Sequence, residues 1–319
     1  MAGFEVISDE HLVRSNLWST QLKTLLLDDL MAIRFVKNID QFPDGTTINI
    51  PSLGEAETFD FAEGQQVKYS RFDTGNFTFS FDQYIGSANS ISEKFKRDSF
   101  YSDQVLSAFV PRQHRAIMER IETRIFERLN SSQTSASTNQ VNSADHRWIG
   151  SGTNETIALK DFAKARYSLK KANVPLTNLV ACVDPSVSFA IETQANAVNL
   201  LSPQPKWGNM VNEGLVTGMN FKFNIFGFDV YESNYLPRLT ASETISAVTS
   251  TAGVVNTLFS AAGGDINPII GGFRQMPTVY SEFNKDRQET EYLTICEYGF
   301  KVYRPENLIC IVTDTDQVS

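Results

Sequence analysis

Between Thr46 and Tyr84 the chain alternates, breaks, and alternates again. The first arm, "TTINIPS" (46–52), puts Ile48 and Ile50 on one face. The second, "VKYSRFDTGNFTFSFDQY" (67–84), puts Phe77, Phe79 and Phe81 on one face and Thr78, Ser80 and Asp82 on the other. Between them lies "LGEAETFDFAEGQQ" (53–66), acidic and punctuated by glycine. Period-two alternation on both sides of a polar tip predicts a long β-hairpin. A two-stranded ribbon of that length is marginal alone in water. The chain must therefore lay it on another surface, and its row of Phe suits that need.

The flanking segments read as a mixture of helix and strand. In "TQLKTLLLDDLMAIRFVK" (20–37), Leu22, Leu25, Leu26, Leu30 and Ile33 recur at helical spacing. "VPRQHRAIMERIETRIFERLN" (110–130) sets Ile117, Ile121, Ile125 and Leu129 four apart. Pro111 is tolerated in a first turn, and Arg115–Glu119 and Arg124–Glu127 support the outer face. The spacing predicts a helix of about 20 residues, roughly 30 Å long. Residues 130–156, rich in Ser, Thr and Asn, read as a mobile loop anchored only by Trp148 and Ile149. "LKDFAKARYSLKKAN" (159–173) is a second helix and "TNLVACV" (177–183) a short buried strand. Asp184 and Pro185 open a third helix as N-cap and first residue. "GLVTGMNFKFNIFGFDVYESNYLP" (214–237) gives two strands around Gly227, followed by a small-residue segment (240–265). "YLTICEYGFKVYRPENLICIV" (292–312) gives an alternating run, a turn and a closing strand.

Composition narrows the function. At 319 residues the chain can bury a sizeable core in one large domain or two modest ones. A net charge of −9 argues against tight, sequence-independent gripping of nucleic acid, which depends on many Lys/Arg–phosphate contacts. Phe occurs 23 times and has no polar handle, so much of it belongs in a core or against partners. Cys182, Cys296 and Cys310 form no C-x-x-C pair and read as reduced, buried thiols. The first residues have neither the basic nor the apolar region of a secretory signal. No apolar run approaches the roughly 20 residues that cross a bilayer.

A search for chemistry finds none. Neither nucleotide-binding glycine motif is present, and "GGDINPIIGG" (263–272) lacks the lysine that would meet a phosphate. His11, His114 and His146 are isolated and read as surface residues; no H-E-x-x-H and no G-x-S-x-G occur. Cys182 lies in an apolar strand, where a thiol is inert. Glu55, Glu57, Asp60 and Glu63 read as a solvated tip in place of a cation site, and Lys94, Lys96 and Arg97 as complementing an acidic patch on a partner. The expectation is no enzyme, no metal and no cofactor.

The order of parts resembles the major capsid proteins of tailed bacteriophages, with the Hong Kong 97-type fold. The 214–237 segment is similar to that family's strand pair, in which a glycine turn leads into a strand ending at Ser-Asn and Leu-Pro. "YGFKVYRPENL" (298–308) is similar to its closing strand. The resemblance implies an α+β chain with an N-terminal arm (1–41), an E-loop hairpin (42–85) and a P domain with spine helix and polar loop (86–176). An A domain (177–290) and returning P-domain strands with the C-terminus (291–319) complete it. It implies a shell subunit that assembles with itself as hexamers and pentamers into the icosahedral head around dsDNA, in a virion built in the host bacterial cytoplasm. A separate scaffolding protein, a portal protein and a decoration protein are the implied partners, DNA is enclosed with at most non-specific contact, and no membrane is involved. Candidate inter-subunit contacts are Phe59, Phe61, Lys68, Phe77, Phe79 and Phe81 on the hairpin, and Arg120, Arg124 and Arg128 on the spine helix. Lys68 is also the sole hairpin lysine available for the covalent cross-linking used by some members. An encapsulin-type cellular shell of the same fold and an α+β enzyme are the alternatives.

Overall fold

The computed structural model describes residues 30–39, 47–54, 58, 60, 63–64, 66, 69, 74–98, 102–132, 140–191, 193, 221–245, 248–250 and 253–314. The first half carries β1 (Lys37–Asn38), β2 (Thr47–Leu53), β3 (Thr74–Ser80), β4 (Gln83–Ser92), α1 (Glu93–Asp98) and α2 (Ser102–Ser132). Then come β5 (Gln140–Val141), β6 (Ala144–Asp145), β7 (Arg147–Ile149), α3 (Leu159–Lys171), β8 (Leu179–Val183), β9 (Phe221–Ile225) and β10 (Phe228–Glu232). The last part holds β11 (Glu243–Ile245), β12 (Val248–Ser250), β13 (Gly253–Ser260), β14 (Ile269–Asn284), β15 (Glu289–Val302) and β16 (Leu308–Asp314).

Six strands form one sheet in the order β7-β16-β13-β8-β10-β9. The runs "LVACV" and "LICIV" are apolar at every position because both faces of this sheet are covered. Along β8 and β16 the even residues Val180, Cys182, Leu308, Cys310 and Val312 enter a core shared with α2. The odd residues Leu179, Ala181, Val183, Ile309 and Ile311 enter a second core shared with α3. Ile117, Ile121, Ile125 and Leu129 of α2 all reach the first core, as their spacing requires. Phe162, Ala165 and Leu169 of α3 reach the second. Between β9 and β10 the turn residues Phe226 and Gly227 both have positive φ (49° and 89°), the signature of a two-residue type I′ turn.

A second sheet, β1-β14-β15-β4, lies on α2 through Cys296, Tyr298 and Phe300. β14 starts buried and ends exposed, and β4 pairs along β15 as far as Glu289↔Ser92, so β4, β14 and β15 together form a three-stranded ribbon with an exposed outer end. β14 falls in the segment expected as A domain yet pairs with β15, whereas β16, expected among the returning strands, sits inside the six-stranded sheet.

Three local expectations change. Of the helix expected over 20–37, residues 20–29 lie outside the described residues. Ala32–Phe35 form a 3₁₀ turn and Lys37–Asn38 pair in parallel with β14, so tertiary pairing overrides the helical period. The spine helix runs 31 residues, about 46 Å at 1.5 Å per residue, and Pro111 lies inside it, where one i→i−4 bond is missing. The expected 130–156 loop is structured where described. Its Arg147–Ile149 form an edge strand parallel to β16, because Trp148 and Ile149 are drawn into opposite cores.

Candidate subunit-contact surfaces

The root of the first hairpin is tied to its own subunit. β2 and β3 pair from Thr47↔Ser80 to Leu53↔Thr74. Phe77 meets Tyr303 edge-on at 5.1 Å, Lys301 Nζ stands 4.8 Å from the Phe77 ring centre, and the same ammonium donates to the carbonyl of Thr78 at 2.7 Å. Phe79 is 0% exposed and packs against Phe81, ring centres 5.2 Å apart. Gly299 permits this approach: a Cβ there would lie 2.7 Å from the carbonyl oxygen of Ser80. Phe79, one of the candidate contact residues, thus packs its side chain inside its own subunit. Phe77 and Phe81 are half-buried on the same row.

Of the other candidates, Phe59, Phe61 and Lys68 lie outside the described residues. Arg124 pairs with Glu127 at 2.7 Å and Arg128 with Asp82, both on half-exposed surface, and Arg120 is exposed. Gly54, Thr58, Asp60, Glu63, Gly64 and Gln66 of the hairpin tip are exposed, as is Tyr69 of the second arm, by 92%. The β14–β15 ribbon likewise shows Met276, Tyr280, Phe283 and Leu293, with Tyr84 beside it on β4, as large exposed apolar groups. Two ribbons leaving apolar groups in solvent is the pattern of a surface meant for other proteins.

The described residues include buried polar groups that the sequence did not reveal. His146, expected at the surface, is 0% exposed; its Nδ1 donates to the carbonyl of Ala144 at 3.1 Å, and burial holds its pKa below the usual histidine value. Arg147 is also buried and grips Glu243 with two nitrogens, at 2.6 and 2.7 Å, while a third reaches Asn130 at 2.9 Å. This fork fixes the end of α2 and the β11–β12 hairpin to β7. Among the described residues no group of three or more His, Cys, Asp or Glu is placed to hold a metal ion, and no helix is long and apolar enough to cross a membrane.

α3 carries an uneven charge. Its sequence, "LKDFAKARYSLKK", has five cations and a single carboxylate. That carboxylate, Asp161, is buried and accepts the backbone N–H groups of Ser151 and Ala158 at 3.0 and 2.9 Å. Lys160, Arg166, Lys170 and Lys171 are exposed with Tyr167 among them. Lys164 pairs with Asp145 at 3.0 Å, which holds that carboxyl below its usual pKa, and lies 4.5 Å from the Trp148 ring centre. The signal was legible in the composition of this one helix within an acidic chain.

These parts define a class: a Hong Kong 97-type shell subunit, with a spine helix under a long-stranded sheet, a second compact sheet, and projecting ribbons. The chain belongs to the phage capsid protein family, which it matches over residues 76–311. Among solved structures it is similar to the capsid of the cyanophage P-SCSP1u, with TM-score 0.69, 12% identity, and 96% of this chain and 94% of that one covered. It is similar to the capsid of Ralstonia phage GP4, with TM-score 0.68, 10% identity and 100% of both chains covered. A structure from Mycobacterium phage Che8 gives TM-score 0.65 and 17% identity, covering 94% and 97%. No curated protein sequence matches. The protein is a structural protein of the phage virion.

Proposed function

We propose that this chain is the repeating subunit of the phage head, assembling as hexamers and pentamers into a closed icosahedral shell around dsDNA. The observation that carries the reading is the pair of projecting ribbons, whose roots are fixed by Lys301, Tyr303 and α2 and whose described ends are exposed. Many modest contacts made by such arms add up through multivalency. We assign the P domain to the sheet β1-β14-β15-β4 with α2, and the A domain to the six-stranded sheet with α3. Arm, E-loop, a separate scaffolding protein, portal and decoration partners, and assembly in the host cytoplasm complete the proposal.

The test is negative-stain electron microscopy of the purified chain together with sedimentation velocity. Closed shells or rings of five and six support the reading. A homogeneous monomer or dimer, even with the phage's own scaffolding protein added, overturns it and returns the enzyme reading to the front.

A further inference from the structure

We infer that the basic face of α3 receives the acidic hairpin tip, residues 53–64, of a second copy of this chain. The inference rests on the self-assembly reading above and names one of its contacts.

The chain is acidic overall, at −9, yet α3 turns Lys160, Arg166, Lys170 and Lys171 outward with no exposed carboxylate of its own. The opposite bias is concentrated in the tip, where Glu55, Glu57, Asp60 and Glu63 alternate with Phe59 and Phe61. The described tip residues Gly54, Thr58, Asp60, Glu63 and Gly64 are all exposed. Its own subunit therefore leaves Asp60 and Glu63 in solvent. The lengths agree. Lys160 to Lys171 spans about 16 Å of helix, and an extended Glu55–Glu63 segment reaches up to about 26 Å.

The face also has a place for an aromatic group. Beside Lys160 and Lys164 opens a cavity of about 370 Å³ with Trp148, Ile149, Ile245 and Val248 as apolar walls and Ser151 and Asp161 as polar ones. Its apolar walls suit the ring of Phe59 or Phe61, whereas the Asp161 carboxylate in its lining disfavours a phosphate. An acidic chain also repels a long polyanion while admitting a short acidic segment held at one place. Rim charges of this kind set register and encounter rate.

The experiment exchanges the charges. One variant carries Lys160→Glu, Lys170→Glu and Lys171→Glu; a second carries Glu55→Lys, Glu57→Lys and Glu63→Lys; a third carries all six. A Lys→Gln version of the first spares the end of α3 a negative charge. The assembled fraction is read by sedimentation velocity, with circular-dichroism melting of unassembled subunits as the folding control. Each triple variant is expected to lower the assembled fraction about tenfold or more, and the sixfold variant to restore it to within about twofold of the parent. A sixfold variant no better than either triple overturns the pairing. So does a basic-face variant that assembles like the parent but whose shells retain less duplex DNA, which assigns α3 to nucleic acid. A parent chain that forms no shells overturns the self-assembly reading, and this contact with it.

Discussion

The carboxylate of Glu122, midway along α2, accepts the backbone N–H of Met31 at 3.0 Å and that of Ala32 at 2.9 Å. Glu122 is buried, and a buried carboxylate is tolerable only when hydrogen-bonded. The contact fastens the residues preceding β1 to the helix, and β1 itself pairs with β14. Glu122→Gln replaces one acceptor oxygen with a donor that faces an N–H. It should cost about 1–3 kcal/mol in chemical denaturation. Amide exchange at Met31 and Ala32 should rise more than elsewhere, and unchanged protection there would refute the fastening role.

Phe79 belongs to the folding of the subunit. Truncation to Ala removes a fully buried ring beside Phe81 and Gly299. The expected loss is about 3–5 kcal/mol, seen in urea denaturation of unassembled subunits. A variant with parental stability that only fails to assemble would return Phe79 to the contact surface.

His146 predicts a dependence on acidity. Burial lowers its pKa in the folded state, against the opposing pull of Asp145 and Glu306. The unfolded chain, with an ordinary value of about 6.5, then binds the proton more readily than the folded one. Stability from this site is complete above that value and declines as pH falls through it. Thermal melts between about pH 7.5 and 5 should show the decline, and His146→Phe should flatten it. Equal slopes for the two proteins would remove His146 as the cause.

The three thiols should be silent in the native protein. All are buried; burial pushes Cys296 and Cys310 up to about 11 and Cys182 further still. At pH 8 a thiol of that kind is roughly 0.1% thiolate, the reactive form. A thiol-specific chromogenic reagent should register none in native subunits and three in denaturant. Rapid native labelling would contradict the packing around β8, β15 and β16.

Much of the architecture could be read in advance wherever one period dominated. Ile117 to Leu129 announced a one-faced helix, and Phe77, Phe79 and Phe81 share a row as their alternation required. What escaped depended on partners far along the chain. Arg147 looks like loop polarity until Glu243, 96 residues later, supplies its carboxylate. Gly253–Ser260 looks like a bland small-residue run, yet it is a wholly buried strand between β16 and β8, identifiable only once those neighbours are in place. Phe79 was placed on the correct face, but the identity of what covers that face depends on Gly299 admitting the hairpin root.

The position of β16 has a consequence for how the subunit is made. The strand that closes the six-stranded sheet, between β7 and β13, is the last of the described strands in chain order and ends at Asp314. Until the ribosome has released that stretch, β13 has no partner on one side and β7 has none at all among the described strands. Both cores stay open along that seam. β16 must therefore be synthesised before the sheet can close, and a nascent fragment halted ahead of it leaves β7 and one edge of β13 unpaired. A fragment without β16 thus exposes the apolar residues of β13 and β7 that the complete sheet covers.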